Sequence, residues 1–155
     1  MLIPRVLIFI THGESVLLLK GAPTKRLWAN RYNGIGGHVE RGEDVLTAAR
    51  RELLEETGLV ADLQLVGTVS VDAGENIGVG LYVFLGELGQ THVSGLRPSV
   101  EGTPEWLSTS ELADRPLVED VAVLLGRILQ MRAGEPPFSA RSFYDADGKL
   151  KVVFA

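Results

Sequence analysis

Apolar positions along the chain follow two rhythms, one of short runs and one of helical spacing. Val6–Thr11 and Val16–Lys20 are β-branched and aliphatic runs separated by His-Gly-Glu-Ser, which predicts two antiparallel strands joined by a short turn. From Lys20 to Tyr32 the rhythm breaks: Gly21, Pro23, Lys25, Arg26, Trp28, Arg31 and Tyr32 predict a loop ahead of a glycine cluster, a candidate substrate entrance. After Asn33-Gly34-Ile35-Gly36-Gly37 the spacing turns helical from Glu43 to Thr57 and closes on Gly58, where a left-handed C-cap belongs. Leu63–Val71 and Val79–Leu88 predict two further strands around a turn at Asp72–Gly78, and Glu105–Leu107 adds a short one. In Val118–Met131, the spacing of Val121, Leu124, Leu125 and Ile128 predicts a second amphipathic helix. Ser139–Tyr144 and Lys149–Phe154 flank Asp145-Ala146-Asp147-Gly148, a hairpin pattern that follows Pro136-Pro137. The order strands, helix, strands, helix, strands predicts an α+β fold in which a mixed sheet is sandwiched between helices. No repeat, low-complexity tract or linker divides residues 1–155, so one domain is expected.

Composition narrows the partners. With 155 residues, 45% of them hydrophobic, the chain can bury one ordinary core. A net charge of −5 opposes the broad basic surface that a nucleic acid polymer or an anionic membrane requires, while a small phosphate ester held through metal ions stays compatible. Without cysteine there is neither a disulfide framework nor a thiolate metal site. The apolar MLIPRVLIFI start is interrupted by Pro4 and Arg5 and is too short for a membrane span, so it reads as a buried strand. A cytoplasmic monomer or homodimer is the resulting expectation.

The chemistry concentrates in the first helix. Glu52, Glu55 and Glu56 stand at i, i+3 and i+4, so a helix points all three the same way. On an ordinary acidic helix that face is simply solvated. Mg²⁺, however, takes hard oxygen ligands and keeps several waters, so such a face also forms a partial metal cage that substrate phosphates can complete. Upstream, Gly36-Gly37 permits close backbone approach and allows a main-chain carbonyl to turn toward an ion.

The combined spacing is Gly37, five residues, Glu43, seven residues, then Arg51-Glu52-Leu53-Leu54-Glu55-Glu56-Thr57-Gly58-Leu59, and from Gly37 to Leu59 it resembles the Nudix box at every defining position. The resemblance implies a Nudix fold and a hydrolase that splits a nucleoside diphosphate linkage with a divalent ion, Mg²⁺ with Mn²⁺ as the variant. It further implies that the Gly36 carbonyl, Glu52, Glu55 and Glu56 bind the ions and that Glu52 can also serve as general base. Arg51, with Glu43, then orients the acids of the helix.

Residues outside the box select the substrate. Tyr32-Asn33-Gly34-Ile35-Gly36-Gly37 is similar to the segment of the animal oxidised-purine nucleoside triphosphatases that runs from a base-contacting asparagine into the box, and Asn33 matches that asparagine. An Asn side chain can read a purine edge, and Asn-Gly also favours a turn by itself. Val100-Glu101-Gly102-Thr103-Pro104-Glu105-Trp106 is similar to a MutT-type stretch whose glutamate joins the metal site, which nominates Glu101, with Glu105 as the lesser candidate. Leu117-Val118-Glu119-Asp120 aligns with the Trp-Pro-Asp-Asp of the animal enzymes, so Glu119 and Asp120 become candidates for reading the base, although acids opening a helix also suit its positive end. The tryptophan of that motif is absent here, and Trp28 or Tyr32 is expected to supply base stacking. Markers of two other branches are missing: Gly74 and Glu75 stand where ADP-ribose hydrolases carry a proline, and Asn76 and Ile77 where dinucleoside polyphosphate hydrolases carry a tyrosine. His12, His38 and His92 receive no role.

The expected reaction is hydrolysis of a nucleoside triphosphate, an oxidised purine such as 8-oxo-dGTP, to monophosphate and pyrophosphate. The alternatives are another substrate of the same class, such as ADP-ribose or a nucleotide sugar, and a module that binds nucleotide without cleaving it.

Overall fold

The computed structural model describes residues 1–89 and 95–155, so His92 lies outside the described residues. Its strands are β1 (Leu2–His12), β2 (Ser15–Gly21), β3 (Tyr32–Asn33), β4 (Ile35–His38), β5 (Leu63–Asp72), β6 (Gly78–Glu87), β7 (Gly102–Ser108), β8 (Phe138–Tyr144) and β9 (Leu150–Phe154). Two α-helices, α1 (Val45–Thr57) and α2 (Glu119–Ile128), and a 3₁₀ turn at Thr109–Asp114 complete the described elements. The strands form one sheet in the order β3-β2-β1-β6-β5-β8-β9, with β4 added to β1 and β7 to β2. The β1–β6 and β5–β8 pairs are parallel and the remaining pairs antiparallel, so the sheet is mixed as expected.

β1 explains why the N-terminal run is almost wholly apolar. It lies inside the sheet with both faces covered, and alternate residues go to opposite sides. Val6, Ile8 and Ile10 join one core, against Ala48, Ala49 and Leu53 of α1. Leu7 and Phe9 join the other, with Val121, Leu124, Leu125 and Ile128 of α2. The helices thus sandwich the sheet, which is the α/β/α arrangement the periodicity predicts. The C-terminal hairpin forms as expected, and β8 docks on β5 by a parallel ladder from Gly67↔Phe138 to Val71↔Ser142.

Three elements differ from those expected. α1 starts at Val45 rather than Glu43 because Asp44 caps it, its carboxylate accepting from the Thr47 amide at 2.9 Å. Glu43 is therefore outside the helix and available to Arg51. α2 ends at Ile128, short of Met131. The glycine cluster is paired: β3 lies on β2, and after Gly34 the chain moves across so that β4 lies on Arg5–Ile8 of β1. A side chain at Gly36 would meet the Val6 carbonyl oxygen at 2.1 Å, so only glycine permits that approach. No helix among the described residues is long and apolar enough to cross a membrane.

Candidate active site

The acid face of α1 lies against β4. Glu56 is buried, and its carboxylate accepts a hydrogen bond from the Gly36 amide at 3.3 Å. Gly36 sits opposite Leu7 in an antiparallel pair. An extended residue whose N–H turns away from its ladder partner turns its carbonyl the same way, so the Gly36 oxygen is directed to the side of the acids. A β-carbon on Gly37 would fall 2.3 Å from the Glu52 carboxylate, so this glycine is what lets the helix acid close on the strand.

Arg51 organises the cluster. It grips Glu43 with two hydrogen bonds, Nε to Oε2 at 2.9 Å and Nη2 to Oε1 at 2.8 Å, a forked geometry that fixes both planes. Its Nη1 donates to Glu52 at 2.8 Å and to Glu55 at 3.4 Å, and its Nη2 reaches the His38 carbonyl at 3.1 Å. This ion pairing holds the Glu43 carboxyl below its usual range. Glu52 moves the other way, raised chiefly by burial and opposed by Arg51. Glu56 is pushed up to about 8, first by burial and then by the charge of Glu52, while the Gly36 hydrogen bond pulls it down.

These values describe a site with more negative charge than its own cations offset, built from the hard oxygen donors that suit Mg²⁺. In the present rotamers no three acidic or histidine side chains among the described residues converge tightly enough to hold an ion. Arg51 occupies Glu52 and Glu55 instead. The donor set fits a divalent ion.

Two recesses meet at this cluster. A groove of about 480 Å³ runs along Glu40, Arg51, Glu52, Glu55 and Ser99. A second cavity, of about 400 Å³, extends the other way under the start of α2 and is lined there by Trp28, Asn33, Val71, Glu119 and Asp120. Arg5, Gly36, Gly37, Glu56 and Glu101 border both. The distant segments nominated from sequence, Asn33, Glu101, Glu119 and Asp120, thus come together around one space with the box.

Glu101 reaches that space from the turn before β7, where Lys25 donates to it at 2.8 Å. The loop carrying Lys25 and Trp28 folds back on Gly21, whose amide donates to the Arg31 carbonyl at 2.9 Å and whose carbonyl accepts from the Asn30 amide at 3.0 Å. Trp28 and Asn30 both have left-handed φ values of 60°, an unfavourable conformation for a tryptophan that leaves it 47% exposed at the cavity wall. Arg31 ties this loop to the opening of α2 by donating to the Leu117 carbonyl at 2.7 Å. The Asn33 side-chain oxygen accepts from the Gly34 amide at 2.7 Å, so its turn-making and cavity-lining positions coexist. Asp120 is half-buried, and burial raises its carboxyl above the usual range.

Two expectations are corrected. Tyr32 presents no face to the cavity: its ring is buried in the α2-side core and its hydroxyl donates to Glu105. Glu105, engaged there, is absent from the groove that holds the acids. Glu105 alternates to the sheet face opposite the acids, whereas Tyr32 is on the α2 face but closed into its core, away from the cavity. His12 packs edge-on to Trp106 with Nδ1 at 2.9 Å from the Leu88 carbonyl, a structural position. Two residues that border the site have no role in the sequence reading. Arg5 registers in sequence only as a charge inside an apolar strand, and Lys25 only as one of several loop cations.

The arrangement of an acid-bearing helix against a glycine strand, on a mixed sheet with a helix on each face, defines a hydrolase class. The NUDIX domain pattern matches residues 1–127, and the chain belongs to the Nudix family. It is a Nudix hydrolase. Among curated relatives it is similar to the oxidized purine nucleoside triphosphate hydrolase of Mus musculus, 32% identical over 129 residues that cover 81% of this chain and 79% of the mouse protein. The enzyme of the same description from Danio rerio is 32% identical over 108 residues, covering 68% of this chain and 66% of that one. In fold it is similar to the MutT protein of Bacillus halodurans, with TM-score 0.80 and 22% identity over 99% of this chain and 97% of the other. Members of the family generally require divalent metal ions.

Proposed function

We propose that this hydrolase cleaves nucleoside triphosphates bearing an oxidised purine, with 8-oxo-dGTP as the leading case, to the monophosphate and pyrophosphate. The observation that carries the reading is the shared border of the two recesses. A base lying between Trp28, Asn33, Glu119 and Asp120 puts its phosphates beside Gly37, Glu56 and Glu101. The names of the mouse and zebrafish relatives favour the same substrate class.

Each residue then has a task. Glu52, Glu55, Glu56, Glu101 and the Gly36 carbonyl would hold a divalent ion, Mg²⁺ before Mn²⁺, which neutralises phosphate charge and polarises a phosphoryl oxygen. Glu52 accepts a proton from the attacking water. The new O–P bond forms at a phosphorus of the chain as the bridging P–O bond breaks, and pyrophosphate leaves. Arg51, fixed by Glu43, positions Glu52 and Glu55. Asn33 offers its amide to the base edge, Glu119 and Asp120 face the same edge, and Trp28 covers the ring. We assign the working unit to one domain spanning residues 1–155, a cytoplasmic monomer or homodimer acting on a small nucleotide.

The test is kcat/KM over canonical and oxidised nucleoside triphosphates, ADP-ribose, nucleotide sugars and dinucleoside polyphosphates. An 8-oxopurine triphosphate should lead the panel. Preference for ADP-ribose over every triphosphate would overturn the assignment.

A further inference from the structure

The floor of the cavity under α2 is apolar with one exception. Val79 faces Val71 across β6 and β5, Val71 faces Ser142 across β5 and β8, and Ser142 faces Val152 across β8 and β9. A serine therefore stands in a row of valines, with no hydrogen-bonding side chain directly opposite it on either strand. Along β8 the inward positions are Phe138, Ala140 and Ser142, of which only the last is polar. Ser142 is 0% exposed, its Oγ has no hydrogen-bond partner among the described residues, and it borders the cavity that Asp120 also lines.

An unpartnered hydroxyl closed off from water destabilises the fold that holds it, and alanine fits the same space without that cost. Flat apolar walls with a few polar groups suit a heteroaromatic ring, whose faces are apolar and whose edge carries donors and acceptors. A hydroxyl can donate or accept, so it serves an oxo or an amino substituent equally.

Resting on the reading above and sharpening it, we infer that Ser142 is a specificity-determining residue whose Oγ hydrogen-bonds an exocyclic group on the buried edge of the purine. It contacts the base alone and takes no part in the phosphate chemistry.

The test uses the full chain and its S142A variant, with binding measured calorimetrically for 8-oxo-dGMP, dGMP, a purine deoxyribonucleoside monophosphate without exocyclic groups, and pyrophosphate with Mg²⁺. S142A should weaken the substituted nucleotides about 5- to 10-fold. The unsubstituted purine and pyrophosphate should bind as to wild type. The ligand-free Tm should rise by about 2–4 °C, since a strained burial is removed. Equal weakening of all ligands, unchanged binding of 8-oxo-dGMP and dGMP, or a lowered ligand-free Tm would each overturn the inference. If wild type binds no purine monophosphate, the substrate reading falls and this inference with it. If wild type binds them and S142A does so equally well, only this inference falls.

Discussion

The two ends of the site are built on opposite principles. At the α1 end, the acids are held by other polar groups: Arg51 alone touches Glu43, Glu52, Glu55 and the His38 carbonyl, and Glu56 takes the Gly36 amide. At the α2 end, valines and leucines share the walls with Asn33, Glu119, Asp120 and Ser142, and Trp28 stands exposed in a left-handed conformation. A reaction centre needs fixed charges whose positions survive the reaction. A recognition surface needs a shape and a small number of contacts that a wrong ring fails to make. Damage at the first end should therefore appear in kcat, and damage at the second in KM and selectivity.

The largest effect should follow loss of the proposed base. Glu52→Gln is expected to lower kcat by about 10²–10⁴-fold with Tm nearly unchanged, measured under saturating substrate and Mg²⁺; retention of near-normal turnover would remove Glu52 from the chemistry. Next comes the organiser. Arg51→Ala should cost about 10–100-fold in kcat and lower the divalent-ion affinity, while Arg51→Lys, which lacks the fork, should recover little; a change confined to KM would blur the contrast between the ends. Trp28→Ala tests the other end and should raise KM by about 10-fold, as loss of one base–aromatic stack does, with kcat preserved. A fall in kcat alone would place Trp28 outside base binding.

The smallest effect concerns pH. Because Glu56 is held near 8 in the folded chain, well above the 4.5 of a free glutamate, the folded state keeps a proton that the unfolded state gives up. Its contribution to stability is fully present below about 4.5 and is lost as pH rises through about 8. Ion-free protein in a chelator should therefore lose several degrees of Tm across that window. Divalent ions should restore part of it, and an ion-free Tm that is flat or rising across the window would contradict the charge balance drawn for the cluster.

Much of this was legible in the chain. The box, its helix and its Gly58 cap depend on local spacing, and local spacing is what a sequence displays. The flanking strands were equally clear because β1 and β2 carry unbroken aliphatic runs. The pairing of Gly34–Gly37 into the sheet was not legible, since its reason is contact with Leu7, Phe9, Val6 and Glu52, all distant in sequence. The burial of Tyr32 was not legible for a related cause: it is set by the β2–β3 pairing and by Glu105, far along the chain. Lys25 and Arg31 resembled any loop cations until Glu101 and the Leu117 carbonyl appeared opposite them. Ser142 carried no signal, because only the parallel docking of β8 on β5 shows that its neighbours are valines.

That docking has a consequence for how the cavity can be altered. Ser142, Phe143, Tyr144 and Leu150, all on the cavity wall, belong to a hairpin that begins at Phe138, beyond the segment matched by the family pattern, which ends at residue 127. The acids, the glycines and Arg51 lie wholly within that segment. One wall of that cavity is thus a hairpin outside the matched segment, paired to the sheet through β5 and packed into the α2-side core through Phe138 and Ala140. A change at Ser142, Phe143, Tyr144 or Leu150 would therefore reshape the cavity without altering the acids, the glycines or Arg51.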